Sequence, residues 1–210
     1  MSKELGSIFV IAAASGTGKS SLADALVTKL DGIVESVSHT TRVPRPSEKE
    51  GAHYHFVNEA EFIKLRDGGA FIEHARVFDN WYGTAKQTLM DTITTGQDVL
   101  LVIDWQGARQ VKALFAENCV TIFLLPPSGE GLKSRLEKRA QDDAKVIASR
   151  LDAARGDMSH YLDFDYLVVN DDFDETLATL QSIVIAKRHT LNRQQHRHAK
   201  LLESLLGTKC

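Results

Sequence analysis

Cysteine is scarce: Cys119 and Cys210 are the only two in 210 residues. That excludes a disulfide framework and matches a reducing compartment, which points to the cytoplasm. No run of about 20 apolar residues occurs, so no membrane span is expected. The apolar stretch at residues 7–14 is short and runs straight into a glycine motif, unlike a signal peptide. A basic excess is also missing, since 25 Lys and Arg face 28 Asp and Glu for a net charge of −3. That excludes a general nucleic-acid binder but leaves room for a small anion in a local basic pocket. Internal repeats and low-complexity segments are absent. What remains is an ordinary globular composition, 43% apolar and 25% charged, long enough for one domain with small insertions.

Residues 7–13 (SIFVIAA) are continuously apolar, the pattern of a strand buried on both faces. A glycine-rich turn follows. Leu22, Ala23, Leu26, Val27 and Leu30 then share one face of a predicted helix. Residues 33–37 read as a second strand. Residues 38–51 read as loop, with Pro44 and Pro46 barring regular structure. Asn58 predicts a helix start with Glu61 as its capping partner, and Gly68 and Gly69 a stop. Residues 70–78 read as a strand and 84–95 as a helix ending at Gly96. Residues 99–103 and 120–125 are buried strands, the first closing on Asp104 and the second on Pro126 and Pro127. Two charged amphipathic stretches, 130–140 and 142–158, precede a last core strand at 166–169. A long helix at 173–191 and a helical tail complete the chain.

Strands alternating with helices imply the α/β class, a parallel sheet with helices on both faces. Two segments break the rhythm, a polar one near 38–83 and a charged helical one near 128–160. Each follows a core strand end, where open α/β sheets bind ligands.

The segment Ala13-Ala14-Ser15-Gly16-Thr17-Gly18-Lys19-Ser20-Ser21 follows a buried strand and opens a helix, the context of a phosphate-binding loop. Gly16 and Gly18 let backbone N–H groups turn inward as an anion nest, and the helix N-terminus adds partial positive charge. Lys19 can reach the β- and γ-phosphates of ATP, and the Ser20 hydroxyl can ligate Mg²⁺. Ala13 stands where a glycine is usual. The motif says nucleotide phosphate and nothing about the acceptor.

Thr40-Thr41-Arg42-Val43-Pro44-Arg45, followed by Glu48, Gly51, Tyr54 and Phe56, resembles the acceptor segment of guanylate kinases. The resemblance continues through Glu73-His74-Ala75, Tyr82-Gly83-Thr84, Ile103-Asp104-Trp105-Gln106-Gly107 and Asn170-Asp171-Asp172. It is strongest to the bacterial single-domain members. It implies phosphorylation of GMP by ATP with Mg²⁺, on a three-layer P-loop core. The core would comprise residues 1–37, 85–127 and 162–210, with a GMP-binding insert at 38–84 and a lid at 128–161. The chemistry agrees. Arg42 and Arg45 are three apart in a loop stiffened by Pro44, and guanidinium forks suit a phosphate dianion. By the resemblance, Arg42, Arg45, Tyr54 and Tyr82 hold the GMP phosphate. Glu73 matches the guanine-reading carboxylate, with Ser38 and Thr84 beside it. Such a carboxylate accepts from both N1–H and the N2 amine of guanine, and would meet a bare acceptor on adenine.

Asp104 matches an acid on the acceptor and metal side. The family commonly has a second acid two residues earlier, where this chain has Val102. Arg135 and Arg139, four apart on one helix face, and Arg150 match lid arginines that close over the ATP phosphates. Asn170 matches a contact to adenine. Taken singly, these residues also read as a solvated basic turn, exposed helix faces and a strand-end polar group. His53 with His55, and His196 with His198, lack carboxylate or cysteine partners and read as solvated rather than metal-binding. The expected partners are ATP and GMP, with no nucleic acid and no membrane, and a homo-oligomer is compatible. Two rivals stay open: a kinase of this fold with another acceptor, and a binding module that reuses the fold without catalysis.

Overall fold

Apolar runs with no polar face can only be covered from both sides, and they form the middle of one parallel sheet. The computed structural model describes residues 5–139 and 144–207, except the side chains of 138–148. Its main sheet contains β1 (Ile8–Ala13), β2 (Ile33–Glu35), β7 (Asp98–Val102), β8 (Cys119–Leu125) and β9 (Tyr166–Val169), in the order β2-β7-β1-β8-β9. All neighbouring pairs are parallel. Ile8, Phe9, Val10 and Ile11 of the central strand are completely buried. Each such side chain contributes about 1.5–3 kcal/mol.

Alternate residues of β1 feed two layers. Phe9 and Ile11 pack with α1 (Lys19–Lys29) and α7 (Phe173–Arg188) through Leu22, Leu26, Leu180 and Val184. Ile8 and Val10 pack with α3 (Lys86–Thr94) and α4 (Trp105–Phe115) through Leu89, Ile93, Ala108 and Val111. The N-terminal edge of β7 is locked by Asp98, 2% exposed, which accepts from Ser7 N (2.7 Å), Arg188 Nε (2.8 Å) and Arg193 Nη1 (3.0 Å). These bonds tie α7 and α8 (Leu191–Arg197) to the sheet. The chain continues in α9 (Ala199–Leu206).

A second, four-stranded sheet has the order β4-β3-β6-β5. It comprises β3 (Ser38–Thr40), β4 (Tyr54–Phe56), β5 (Phe71–Val77) and β6 (Asn80–Ala85), with α2 (Glu59–Asp67) packed on it through the buried Phe62. Asn58 caps α2, its side chain accepting from Glu61 N at 2.9 Å. Here the sequence expectations need correction. Residues 38–51 are not all loop, because Ser38–Thr40 forms a short strand between β4 and β6. Thr84 does not start a helix. It belongs to β6, and α3 begins at Lys86. Strands β4 and β6 and the helix α4 were not expected. The long C-terminal helix stops at Arg188 rather than 191.

The segment after β8 forms α5 (Gly129–Arg139) and α6 (Ala144–Met158). Leu132, Leu136 and Ala154 from these helices bury against Ala14 of the glycine-rich loop. Among the described residues, no helix is long and apolar enough to cross a membrane.

Candidate active site

The loop between β1 and α1 needs two left-handed residues, and glycine supplies both, with φ of 88° at Gly16 and 96° at Gly18. Thr17 closes the turn by donating its hydroxyl to Ala14 O at 2.9 Å. Thr17 O in turn accepts from Asn170 Nδ2 at 2.6 Å and Arg135 Nη1 at 3.2 Å. Arg135 Nη2 reaches Asn170 O at 3.2 Å, so the residue after β9 and the helix α5 brace the loop from behind. A Cβ at Gly18 would meet Asn170 Nδ2 at 2.7 Å. Ala13 needs no glycine: it continues β1, in register with Leu124 of β8, and its φ is not positive.

Lys19 opens α1 and donates to Ile103 O at 3.0 Å. Burial lowers its ammonium pKa, and the carboxylates of Asp104, Asp157 and Glu35 work against that. Asp104 caps α4, its Oδ1 accepting from Gly107 N at 2.9 Å and its Oδ2 from Gln106 Nε2 at 3.0 Å. Asp157 arrives from α6. Burial raises its carboxyl against the opposing pull of Trp105 and Lys19, with Asp104 adding to the rise. Trp105 stacks on His160 at 3.5 Å, joining α4 to the short turn of helix after α6.

Across the cleft, the loop after β3 holds Arg42 by its partner Glu48. Arg42 Nη2 donates to both Glu48 oxygens, at 2.7 and 2.9 Å, and its guanidinium lies 5.4 Å from the Tyr54 ring centre. Glu48 also accepts from Arg45 N at 2.8 Å. Burial alone would disfavour both charges. Their mutual hydrogen bonds outweigh it, raising the Arg42 pKa and holding Glu48 below the usual carboxylate range. The Tyr54 and Tyr82 rings meet edge to face at 6.0 Å.

Glu73 faces inward from β5 and is 2% exposed. It accepts from Thr84 Oγ1 at 2.6 Å, and Thr84 Oγ1 lies 3.4 Å from Ser38 Oγ. Burial pushes the Glu73 carboxyl up to about 7, opposed by the Thr84 hydrogen bond and helped by Asp104. Gln110 of α4 clamps the neighbouring backbone, accepting from His74 N at 3.2 Å and donating to His74 O at 2.9 Å. Gly107 leaves room for the carboxylate, since a Cβ there would strike Glu73 Oε2.

These walls enclose one cavity of about 510 Å³. It is lined by Ala13 to Ser21 and by Ser38, Arg42, Arg45, Tyr54, Glu73, Tyr82, Asp104 and Arg135. Thr84 joins through Glu73, and Asn170 lies behind the loop. Arg150 lines an adjoining cavity with Arg42, Arg45 and Ser20. The Arg139 side chain lies outside the described residues. Asp157, Glu35 and Gln110 were missed by the sequence reading, and Glu48 and Gly107 were quoted without a role. No local pattern marks Asp157 or Glu35, whereas the spacing of Glu48 behind Arg42 and Arg45 was a usable signal. Among the described residues, no three His, Cys, Asp or Glu side chains converge as a metal cage. A hydroxyl at Ser20 beside scattered carboxylates suits magnesium, which keeps waters and shares substrate phosphates.

The chain is similar to known proteins along nearly its whole length. The family model described as Guanylate kinase matches residues 6–187. A guanylate kinase of Saccharophagus degradans is 50% identical over 202 residues, 96% of this chain and 98% of that one. One from Methylococcus capsulatus is 51% identical over 202 residues, with the same coverage of 96% and 98%. The crystal structure of guanylate kinase from Anaplasma phagocytophilum superimposes with a TM-score of 0.79 at 38% identity, covering 98% of each chain.

Proposed function

We infer how the site works from one premise: this chain belongs to the guanylate kinase family, and its reaction is transfer of the γ-phosphate of ATP to GMP. Two polyanions must meet in that reaction, so catalysis is chiefly positioning and charge neutralisation. The observation that carries the assignment of roles is that the phosphate loop, Arg42 and Glu73 line one cavity together.

On this reading, the amides of residues 13–21 and Lys19 hold the ATP phosphates. Arg42 and Arg45, with the hydroxyls of Tyr54 and Tyr82, hold the GMP phosphate in line. Glu73 reads guanine, with Thr84 and Ser38 fixing its carboxylate, and Asp104 stands on the acceptor side. Arg135, Arg139 and Arg150 close over the transferring group and exclude water, which would otherwise accept it. Asn170 serves the ATP side, its buried amide bracing Thr17 O. Ser20 and the ATP phosphates would hold magnesium, which when bound neutralises the β- and γ-oxygens. Residues 1–37, 85–127 and 162–210 form the core on this reading, 38–84 the GMP-binding insert and 128–161 the lid. The cytoplasm is the proposed compartment, consistent with the free, buried Cys119.

An acceptor panel tests the assignment. With ATP and Mg²⁺, ADP release should require GMP, and AMP or CMP should support little. Arg42→Ala should cut the rate at limiting GMP by about 100-fold or more, a loss of roughly 3 kcal/mol for a charged hydrogen-bond partner. Unchanged turnover at limiting GMP, in a folded variant, would refute the role given to Arg42.

A further inference from the structure

Glu35 is a carboxylate that the phosphate-transfer scheme above does not use. It ends β2, beside Leu100 of β7 in parallel register. Ile33, Leu100 and Val102 all pack into the layer beneath α1. Side chains two apart on a strand share a face, so Glu35 lies on that face too. It lines the cavity that also receives Ser20, Asp24, Val102 and Arg150.

Its surroundings are poor for an anion. Burial and the nearby Asp24 carboxylate oppose ionisation, Lys19 favours it, and the balance leaves its carboxyl at about 7. That balance of burial, Asp24 and Lys19 includes no hydrogen bond. A half-buried carboxylate held at that balance costs stability when it ionises. Such groups gather at functional sites. The adjoining strand offers no oxygen, because Val102 presents methyl groups to the same cavity. Two other carboxylates line that cavity, but Asp24 is exposed on α1 and Glu48 is bound to Arg42, which leaves Glu35 as the half-buried carboxylate on that side of Ser20.

We propose that Glu35 is a magnesium-positioning residue, its carboxylate holding a water of the ion bound by Ser20 and the nucleotide phosphates. This inference rests on the reading of Ser20 given above. Lys19 alone would be a sufficient partner if Glu35 served only to orient that ammonium, and metal affinity separates the two roles.

The test measures Mn²⁺ binding to the enzyme–ADP complex by electron paramagnetic resonance, beside ADP binding without metal. Glu35→Gln is expected to weaken Mn²⁺ about 10-fold, the usual loss for a partner behind a metal's direct ligands, while metal-free ADP binding holds. Glu35→Asp should recover part of the loss. Glu35→Val combined with Val102→Asp, which returns a carboxylate to the same face from β7, should regain affinity over Glu35→Val. Unchanged Mn²⁺ affinity in Glu35→Gln, with Ser20→Ala weakened, overturns this inference alone. Equal losses of metal-free ADP and Mn²⁺ binding in Glu35→Gln also overturn it, in favour of Lys19 orientation. If Ser20→Ala leaves Mn²⁺ binding intact, the reading of the phosphate loop falls instead.

Discussion

Replacing Glu73 by glutamine should make the protein more stable and a worse guanylate kinase, and the first effect should depend on pH. In the unfolded chain Glu73 titrates near 4.5, and in the fold burial holds it at about 7. The folded state therefore keeps a proton that the unfolded state has released. Stability from this group is complete below about pH 4.5 and is lost as pH rises through about 7. At about 1.4 kcal/mol per pH unit, that interval is worth about 3 kcal/mol. Glutamine keeps the shape and can still accept from the Thr84 hydroxyl, which donates to Glu73 Oε1 at 2.6 Å. It carries no charge at any pH, so it escapes the loss. Urea unfolding at pH 5, 6, 7 and 8 should find the two proteins nearly equal at pH 5. By pH 8 the variant should be ahead by about 2–3 kcal/mol, or roughly 4–12 °C in Tm for a chain of this size.

The difference between the two proteins isolates Glu73, because Glu35 titrates in both. GMP binding should move the opposite way. On the role proposed for Glu73, guanine donors need the ionised carboxylate, so wild-type affinity should climb between pH 5.5 and 7.5. The variant, sharing the titration of the GMP phosphate, should lack that increment. A stability difference constant from pH 5 to pH 8 would refute the claim that burial holds Glu73 protonated.

Glu48→Gln removes the charge that fixes Arg42 at 2.7 and 2.9 Å. The KM for GMP should rise about 10-fold with the KM for ATP little changed, a loss of about 1.5 kcal/mol for a charged hydrogen bond, as steady-state kinetics will show. Gly18→Ala places a methyl at φ 96° and 2.7 Å from Asn170 Nδ2. It should cost about 1–3 kcal/mol in thermal unfolding and abolish tight ATP binding by calorimetry, and a silent substitution would contradict the loop geometry. Burial raises the Cys119 thiol to about 12, Asp165 adding and Lys112 and Lys187 opposing. Peptide mapping after iodoacetamide at pH 8 should therefore find Cys119 unlabelled in the native protein and labelled in urea.

The core was legible because residues 8–13, 99–102 and 122–125 are apolar on both faces, and only a covered sheet satisfies that. The second sheet was not. Ser38–Thr40 is a three-residue strand of polar composition, held by its neighbours rather than by propensity. Strand β6 follows a turn at Phe78 and Asp79, with φ of 46° and 65°, which lacks the Asn-Gly pair that signals such a hairpin. Helix α4 was hidden by Gly107 in its first turn, a residue that weakens helices by about 1 kcal/mol. That glycine is required by another part of the fold, since the Glu73 carboxylate occupies the space a Cβ would fill. The local signal was thus degraded by the tertiary demand of the site itself.

The same logic separates the site residues that could be read from those that could not. Lys19, Ser20, Arg42 and Arg45 sit in segments whose spacing alone fixes their geometry, because each lies in a short loop with its own turn chemistry. Asp157 and Glu35 reach Lys19 from α6 and from the edge strand β2, more than 120 residues apart. Nothing in either neighbourhood requires an acid; only the fold brings them to one ammonium. Ala13 is the converse case. It breaks a familiar pattern, yet it sits inside β1 opposite Leu124, where the backbone is still extended. The loop's demand for left-handed residues begins at Gly16, so the substitution touches no constraint. A departure from a motif carries weight only where the backbone or a bound group uses the missing property, and at Ala13 the extended backbone does not.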